Sequence, residues 1–347
     1  VPLLQVSLEE AATGSAALQF RGDLRVIDDE CHANIQLIDN SDGHLLWGRI
    51  FRQTLGDDAA AGLLQQVAPR LEPQLIRAID REAHDGASVD ARTLLIKATG
   101  VLSLKGWSRR SFEESAALLR GALAQNANMA LAHAQLALIL ALGARFGLLA
   151  GELAEADVLA HADQALQLDD LDSNIAGSVG CALADIGKLR RARPLLKRAI
   201  DLNPNNAQAW AAMGALHLLE RDFDTAVQAL EKGLSISPMD PRRAVWRGFL
   251  AVVRLFNGDV DRAISEAQRA IEEDHRNHMP HLALAAAHLS AGDPARARTS
   301  LGDAREIRPE LSRRELDLFI GEALAEKLLA LDVGHSPSHS PWAGRGT

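Results

Sequence analysis

Apolar and small residues recur along the middle of the chain with a period of 34 residues, and each period has the pattern of two amphipathic helices. The first helix of a period carries large, large, small and large side chains, and the second carries small, large and small ones before a proline. In one period these positions are Trp210, Met213, Gly214, His217, Ala226, Leu230, Gly233 and Pro238. The phase is kept by Ala176, Val179, Gly180, Leu183, Ala192, Leu196, Ala199 and Pro204, and later by His281, Leu284, Ala285, His288, Ala297, Leu301, Ala304 and Pro309. The period therefore predicts helix pairs that stack in series.

Each position in the period has a physical reason. Gly or Ala allows two helices to cross closely, and the larger residues fill the space between layers. The proline ends the second helix, and Asn205 or Asn206 is expected to cap the helix after Pro204. The pattern resembles the tetratricopeptide repeat (TPR). This resemblance implies a mainly α fold, a TPR α-solenoid of about six helix-turn-helix repeats plus a capping helix, with a role in binding another polypeptide.

Counting outward from the regular periods divides the chain into predicted segments. A linker helix over 57–92, interrupted by prolines, leads into a TPR solenoid over 93–311, and an amphipathic capping helix follows over 312–332. The solenoid units are 93–129, 130–172, 173–206, 207–240, 241–277 and 278–311. The tail over 333–347 lacks apolar anchors, so we expect it to be disordered.

The second unit is nine residues longer than one period and contains Gly143, Gly147 and Gly151. Glycines four residues apart can form a helix-packing seam, as in membrane dimers. Because Arg145 and Glu152 lie beside them, we favour a flexible connection or local close packing.

The first 56 residues do not follow the helical period. Strands are predicted at Ala17–Phe20, Glu30–Ile38 and Leu45–Phe51, with turn residues at 40–43 between the last two. The chain is thus expected to begin with a small α/β segment. Its motifs are Gly22-Asp-Leu-Arg-Val, Ala33-Asn-Ile-Gln-Leu-Ile-Asp, Gly43 and Leu46-Trp47.

These motifs resemble part of a TolB-like amino-terminal domain over residues 1–56. In one bacterial architecture that domain precedes TPRs, in regulatory proteins that also carry a nucleotidyl (adenylate-type) cyclase domain or a winged-helix DNA-binding domain. The resemblance implies the regulatory or sensory part of a bacterial signalling or transcription-regulatory protein.

Composition and charge exclude several classes of protein. The net charge of -9 disfavours nucleic-acid binding, and the two cysteines, Cys31 and Cys181, form no CxxC pair. The most apolar stretch, 129–144, is too short and too interrupted for a membrane span. The chain begins with Val and without a signal-peptide pattern, so we expect a fragment of a cytoplasmic protein. The alternative is the periplasmic part of a membrane-anchored regulator.

A search for chemistry leaves no catalytic constellation, so the sequence predicts a non-enzyme without cofactors. His275, His278 and His281 are spaced three apart, with His288 further on, and His278 and His281 could share one side of a helix and bind a transition metal. The repeat register favours His281 and His288 as large core residues instead. Gly180 to Lys188 lacks the spacing and the preceding strand of a phosphate loop.

The inner side of each first helix predicts the binding surface. Side chains three and four residues apart form one stripe on each of these helices, and only Lys97 and Arg242 among them are charged. The candidate peptide-binding groove comprises Leu131, Leu138, Asn174, Cys181, Gln208, Ala215, Leu218, Arg242, Val245, Phe249, Met279, Leu282 and Leu289.

This apolar groove is expected to hold a protein or peptide, most simply an amphipathic helix from a partner, a second copy or the chain's own amino-terminal part. Two alternatives stay open. The repeats can coil tightly enough to bury these residues against one another, or the TolB-like segment or the groove can sense a small molecule and control an effector domain.

Overall fold

A computed structural model describes residues 18–39, 45–56, 90–149, 155–237, 240 and 242–331, with isolated positions between 59 and 67. The predicted turn at 40–43, most of the predicted linker helix and the predicted disordered tail lie outside the described residues. Fourteen helices and three strands form the described part of the chain.

Twelve of these helices form six consecutive antiparallel pairs, which confirms the predicted TPR solenoid. The pairs are α1 Ala91–Lys105 with α2 Arg109–Gln125, α3 Ala130–Arg145 with α4 Glu155–Leu168, α5 Ser173–Asp185 with α6 Leu189–Leu202, α7 Ala207–Leu219 with α8 Phe223–Ile236, α9 Arg243–Phe256 with α10 Val260–Glu273, and α11 His278–Ser290 with α12 Pro294–Ile307. One continuous apolar core runs through all six pairs.

Side-chain caps and close crossings set where these helices begin and how they pack. Asn206 accepts a hydrogen bond from the Ala209 backbone N–H, and its amide donates to the Ser173 carbonyl oxygen at 3.0 Å, so it both caps α7 and ties two repeats together. At the predicted crossing in the same pair, a Cβ built on Gly214 lies 2.6 Å from Leu230 Cγ. The crossing leaves no space for any larger residue.

The connection after α3 shows the role of Gly143 and Gly147, whereas Gly151 lies outside the described residues. A Cβ on Gly143 would lie 2.4 Å from Leu149, and Gly147 adopts a φ of 60°. Leu149 therefore folds back onto the end of α3, which is the local close packing favoured from the sequence. No helix among the described residues is long and apolar enough to cross a membrane.

The carboxyl-terminal segment differs from the prediction of one helix over 312–332. It forms α13 Arg313–Ile320 and α14 Glu322–Ala330, separated by Gly321 at a φ of 81°. Glycine adopts this conformation without strain, and it ends α13 there. Leu316, Phe319 and Leu328 are buried, so both helices still cover the apolar end of the solenoid.

The amino-terminal sheet has the order β1-β2-β3, with β1 Leu18–Ile27, β2 Glu30–Asp39 and β3 Leu45–Thr54, all antiparallel. The first strand extends seven residues beyond the predicted Phe20, because Asp28 and Asp29 both take positive φ and make the two-residue hairpin turn. Ala33 and Phe51 on the inner face pack against Val67.

The superhelix also makes contacts between repeats that are not neighbours. The Arg276 guanidinium, before α11, donates to the Leu104 carbonyl oxygen of α1 at 3.3 Å. Arg308 donates to the Gly147 carbonyl oxygen at 3.0 Å and pairs with Glu315 at 2.5 Å. These contacts bring the first two repeats against the last two and the terminal helices.

Candidate functional site

Most of the predicted groove residues surround a single cavity on the inner side of the superhelix. The cavity has a volume of about 410 Å³ and is lined by α1, α2, α3, α5, α7 and α9; we call it the concave chamber. Nine predicted residues line it: Leu131, Leu138, Asn174, Cys181, Gln208, Ala215, Arg242, Val245 and Phe249. Thr99 and Asn174 are exposed, so the chamber communicates with solvent.

The other four predicted residues do not line the chamber. Leu218 and Leu289 are partly buried, whereas Met279 and Leu282 are each 1% exposed. Met279, Leu282 and Leu289 all belong to α11, which packs against α13 and α14 as well as against its neighbouring repeats. The lining of the chamber therefore ends at α9.

Several chamber residues were missed by the prediction because they come from outside the inner stripes. Trp107 lies in the loop after α1, Leu119 on α2, and Trp246 one position beyond the α9 stripe. Gln135, Ile139 and Leu142 continue the α3 face at helical spacing, which the sequence could have indicated. The contribution of α2 and of Trp107 depends on how far the superhelix curls.

Aromatic rings cross the interior from the first repeats to the terminal helices. The ring centroids of Trp107 and Phe146 are 6.0 Å apart, those of Phe146 and Phe249 are 6.5 Å apart, and those of Phe249 and Phe319 are 5.5 Å apart. Phe146, Phe249 and Phe319 are at most 9% exposed. The series joins α9 to α3 and α13, and two of its members, Trp107 and Phe249, line the chamber.

A buried ion pair places one carboxylate, that of Asp185, in the chamber wall. Arg145 donates to Asp185 Oδ1 at 2.6 Å, and both side chains are 7% exposed. The Cys181 thiol lies 3.7 Å from Asp185 Oδ2. Burial raises the pKa of Asp185, although Arg145 opposes it, and burial together with the Asp185 charge raises the pKa of Cys181 well above its usual value. A raised pKa lowers the fraction of thiolate, which is the reactive form of a cysteine.

A second ion pair holds the cation at the start of α9. Arg242 binds both oxygens of Asp240, at 2.9 and 2.6 Å, and donates to Gln208 Oε1 at 2.5 Å. Its guanidinium lies 5.3 Å from the centroid of Trp246. Burial raises the pKa of Asp240, but the charge and hydrogen bonds of Arg242 outweigh it, so the pKa lies below the usual range. The charge of Arg242 is therefore compensated.

Three of the four histidines considered as metal ligands, His278, His281 and His288, are core residues. His278, His281 and His288 are 3%, 9% and 6% exposed, and burial lowers the pKa of all three, that of His278 to about 3. His275 is exposed. Within the described ranges, no group of three or more His, Cys, Asp or Glu side chains is arranged to hold a metal ion.

Comparisons with known proteins agree with this architecture. Two tetratricopeptide-repeat family models match residues 183–247 and 250–311. Cellulose synthase operon protein C of Escherichia coli K12, and its putative counterpart in E. coli O157:H7, are each 33% identical over 93 residues. The match spans 27% of this chain and 8% of each relative.

Among solved structures, the APC/C heterotetramer Cut9–Hcn1 is similar with a TM-score of 0.53 and 16% identity, covering 79% of this chain and 49% of that chain. YrrB, described as a TPR protein with an unusual peptide-binding site, has a TM-score of 0.38 and 16% identity, covering 61% of this chain and 97% of that chain. The chain thus contains TPR repeats. TPR proteins are in general scaffolds for protein–protein interactions, and the fold is typically non-catalytic.

Proposed function

We propose that this chain is a non-catalytic scaffold that captures a short amphipathic helix, supplied by a partner protein or by a second copy of the chain. Apolar side chains of this segment enter the concave chamber. One observation carries the proposal: the inner stripes of α3, α5, α7 and α9 surround a cavity of about 410 Å³ that reaches solvent, instead of packing against one another. Apolar surface that stays accessible to solvent in this way is typical of an interaction site.

The chemistry of the wall favours capture by apolar burial. Leu138, Val245 and Phe249 contribute apolar surface, and the two arginines at the chamber are each paired with a carboxylate. Because no charge in the wall is left for a charged ligand, affinity should change little between low and high salt. Binding that disappears at high salt would point to another surface.

Selection from a random peptide library on the purified chain tests the proposal. Ala215→Trp fills the chamber, and Ala295→Trp makes the same change at an exposed position of α12. The selection should enrich peptides with two properties. They bind the wild type and Ala295→Trp equally, and they bind Ala215→Trp at least about tenfold more weakly. No enrichment, or equal binding to all three chains, would refute capture in the chamber.

We further propose that the scaffold is the regulatory part of a bacterial signalling or transcription-regulatory protein, acting in the cytoplasm. The resemblance of residues 1–56 to a TolB-like domain supports this role, and the antiparallel sheet is compatible with it. The complete polypeptide should then carry a cyclase or a winged-helix domain. Its full coding sequence and cell fractionation test both points, and an unrelated neighbouring domain would contradict the first.

A second candidate function is the sensing of a small molecule. The volume of the chamber lies within the range of about 300–1,000 Å³ that is usual for small-molecule sites. Native mass spectrometry of the purified chain should then detect a bound small molecule that Ala215→Trp loses. Equal occupancy of both chains would exclude the chamber as its site.

A further inference from the structure

The Asp185 carboxylate gives the chamber a recognition element that apolar capture does not use. We propose that the captured segment anchors in the chamber through an aromatic side chain that carries one neutral hydrogen-bond donor, the N–H of Trp or the O–H of Tyr, and that this donor binds Asp185 Oδ2. This inference rests on the proposed function and names the chemistry of the partner.

The two oxygens of Asp185 have unequal partners. Oδ1 accepts a short hydrogen bond from Arg145 at 2.6 Å, whereas Oδ2 is approached by the Cys181 thiol at 3.7 Å. A thiol is a weak donor, and a carboxylate oxygen can accept more than one hydrogen bond. Since Asp185 lines the chamber with 7% of its side chain exposed, Oδ2 is a buried acceptor for a donor inside the chamber.

The donor should be neutral because the charge of Asp185 is already compensated. A second cation beside Arg145 would be desolvated without a carboxylate of its own, which is unfavourable in a buried site. The guanidinium of Arg145 also lies 5.6 Å from the Phe146 centroid and 5.8 Å from the Phe249 centroid, close to where that cation would enter. Lysine and arginine are therefore poor anchors.

The rest of the wall suits a planar ring. Trp107, Trp246 and Phe249 present aromatic surface, and aromatic pairs gain from edge-to-face and offset arrangements. An apolar cavity of about 150 Å³ holds a benzene molecule, so about 410 Å³ accommodates a two-ring indole with space for neighbouring atoms. Trp and Tyr combine such a ring with a single donor at its edge.

Two probes that differ in one donor test the inference: 5-fluoroindole, which has the N–H, and 5-fluoro-1-methylindole, which lacks it. Binding of each to the full chain is measured by ¹⁹F NMR titration. A hydrogen bond to a charged acceptor is worth roughly 10- to 100-fold in affinity, so 5-fluoroindole should bind at least about tenfold more tightly. Equal binding, or tighter binding of the methylated probe, would overturn the inference.

Three variants assign the preference to Asp185. Arg145→Met with Asp185→Leu removes both charges together, and the preference between the probes should disappear while both still bind. Cys181→Ala removes only the thiol, is compatible with the fold at this small position, and should keep or increase the preference. Loss of the preference in Cys181→Ala would identify the thiol, not the carboxylate, as the partner. Ala215→Trp should weaken both probes.

Peptide selection separates this inference from the proposed function. The enriched peptides should contain Trp or Tyr, and replacing that residue by Phe should lower their affinity about tenfold or more. This result supports both the capture function and the aromatic anchor. Chamber-dependent peptides without such a residue leave the capture function standing and refute the anchor. A donor preference among the indoles without any peptide binding would refute capture of a segment and identify a free aromatic molecule as the occupant.

Discussion

Replacing Gly214 with Ala tests whether helix crossings set the stability of the solenoid. Gly214 lies inside α7, and the added Cβ would lie 2.6 Å from Leu230 Cγ and 3.1 Å from the Ala226 carbonyl oxygen. Leu230 is fully buried, and its Cγ is a branch point that cannot swing away. Gly302 inside α12 is the matched control, because a Cβ there meets nothing within 4 Å.

Both substitutions gain the helix propensity of Ala over Gly, but only Gly214→Ala adds volume to a packed crossing. Ala is favoured over Gly inside a helix by about 1 kcal/mol, so Gly302→Ala should raise the free energy of unfolding by that amount. Forcing extra volume into a packed crossing costs about 1–3 kcal/mol, so Gly214→Ala should change it by between about zero and a loss of 2 kcal/mol. The two variants should differ by about 1–3 kcal/mol.

Urea denaturation followed by circular dichroism measures this difference, with the midpoint and the slope compared among the wild type and both variants. Unchanged slopes would show that the comparison concerns stability alone. Should Gly214→Ala prove as stable as Gly302→Ala, the small residue at this crossing is not required for packing, and the register derived from the period is wrong.

Three other predictions concern buried polar groups. Burial and the charge of Arg308 lower the pKa of His278 to about 3, so the unfolded chain binds more protons below pH 6.5. The free energy of unfolding should then fall by up to about 1.4 kcal/mol per pH unit in urea melts between pH 6.5 and pH 4, and His278→Leu should reduce this slope. Arg308→Met leaves Glu315 buried without its partner and should destabilise by about 3–5 kcal/mol, with an increased radius of gyration in X-ray scattering. Because the pKa of Cys181 is raised, iodoacetamide should label it slowly at pH 8 and rapidly in urea, as mass spectrometry will show; rapid native labelling would contradict the raised pKa.

The local elements were predictable because short-range signals define them. The period of small and large residues gave the helix pairs, and Asn206 caps α7 as expected. The first strand was predicted too short, because the turn that ends it is made by Asp28 and Asp29 in a conformation that Asp tolerates. In the same way Gly321 divides a helix whose apolar pattern is continuous.

The chamber was only partly predictable, since it depends on the curl of the whole superhelix. Spacing along one helix places Leu138 and Phe249 on inner faces, but it cannot show that Trp107 lines the same chamber or that α13 packs against α11. The pairing of Arg145 with Asp185, 40 residues away, is likewise invisible in either local pattern. Contacts between distant repeats have no periodic signature.

The hydrogen bond from Arg276 to the Leu104 carbonyl oxygen joins residues 172 positions apart in the chain. In an open solenoid the end repeats fray independently, and amide hydrogen exchange is fastest there. Here the loop before α11 is tied to the end of α1 by one hydrogen bond, so fraying of the end of α1 has to break it. The amides at the end of α1 should therefore exchange more slowly than those of a free end repeat, and in folding this contact should form after the neighbouring repeats have stacked, because it closes a loop of 172 positions.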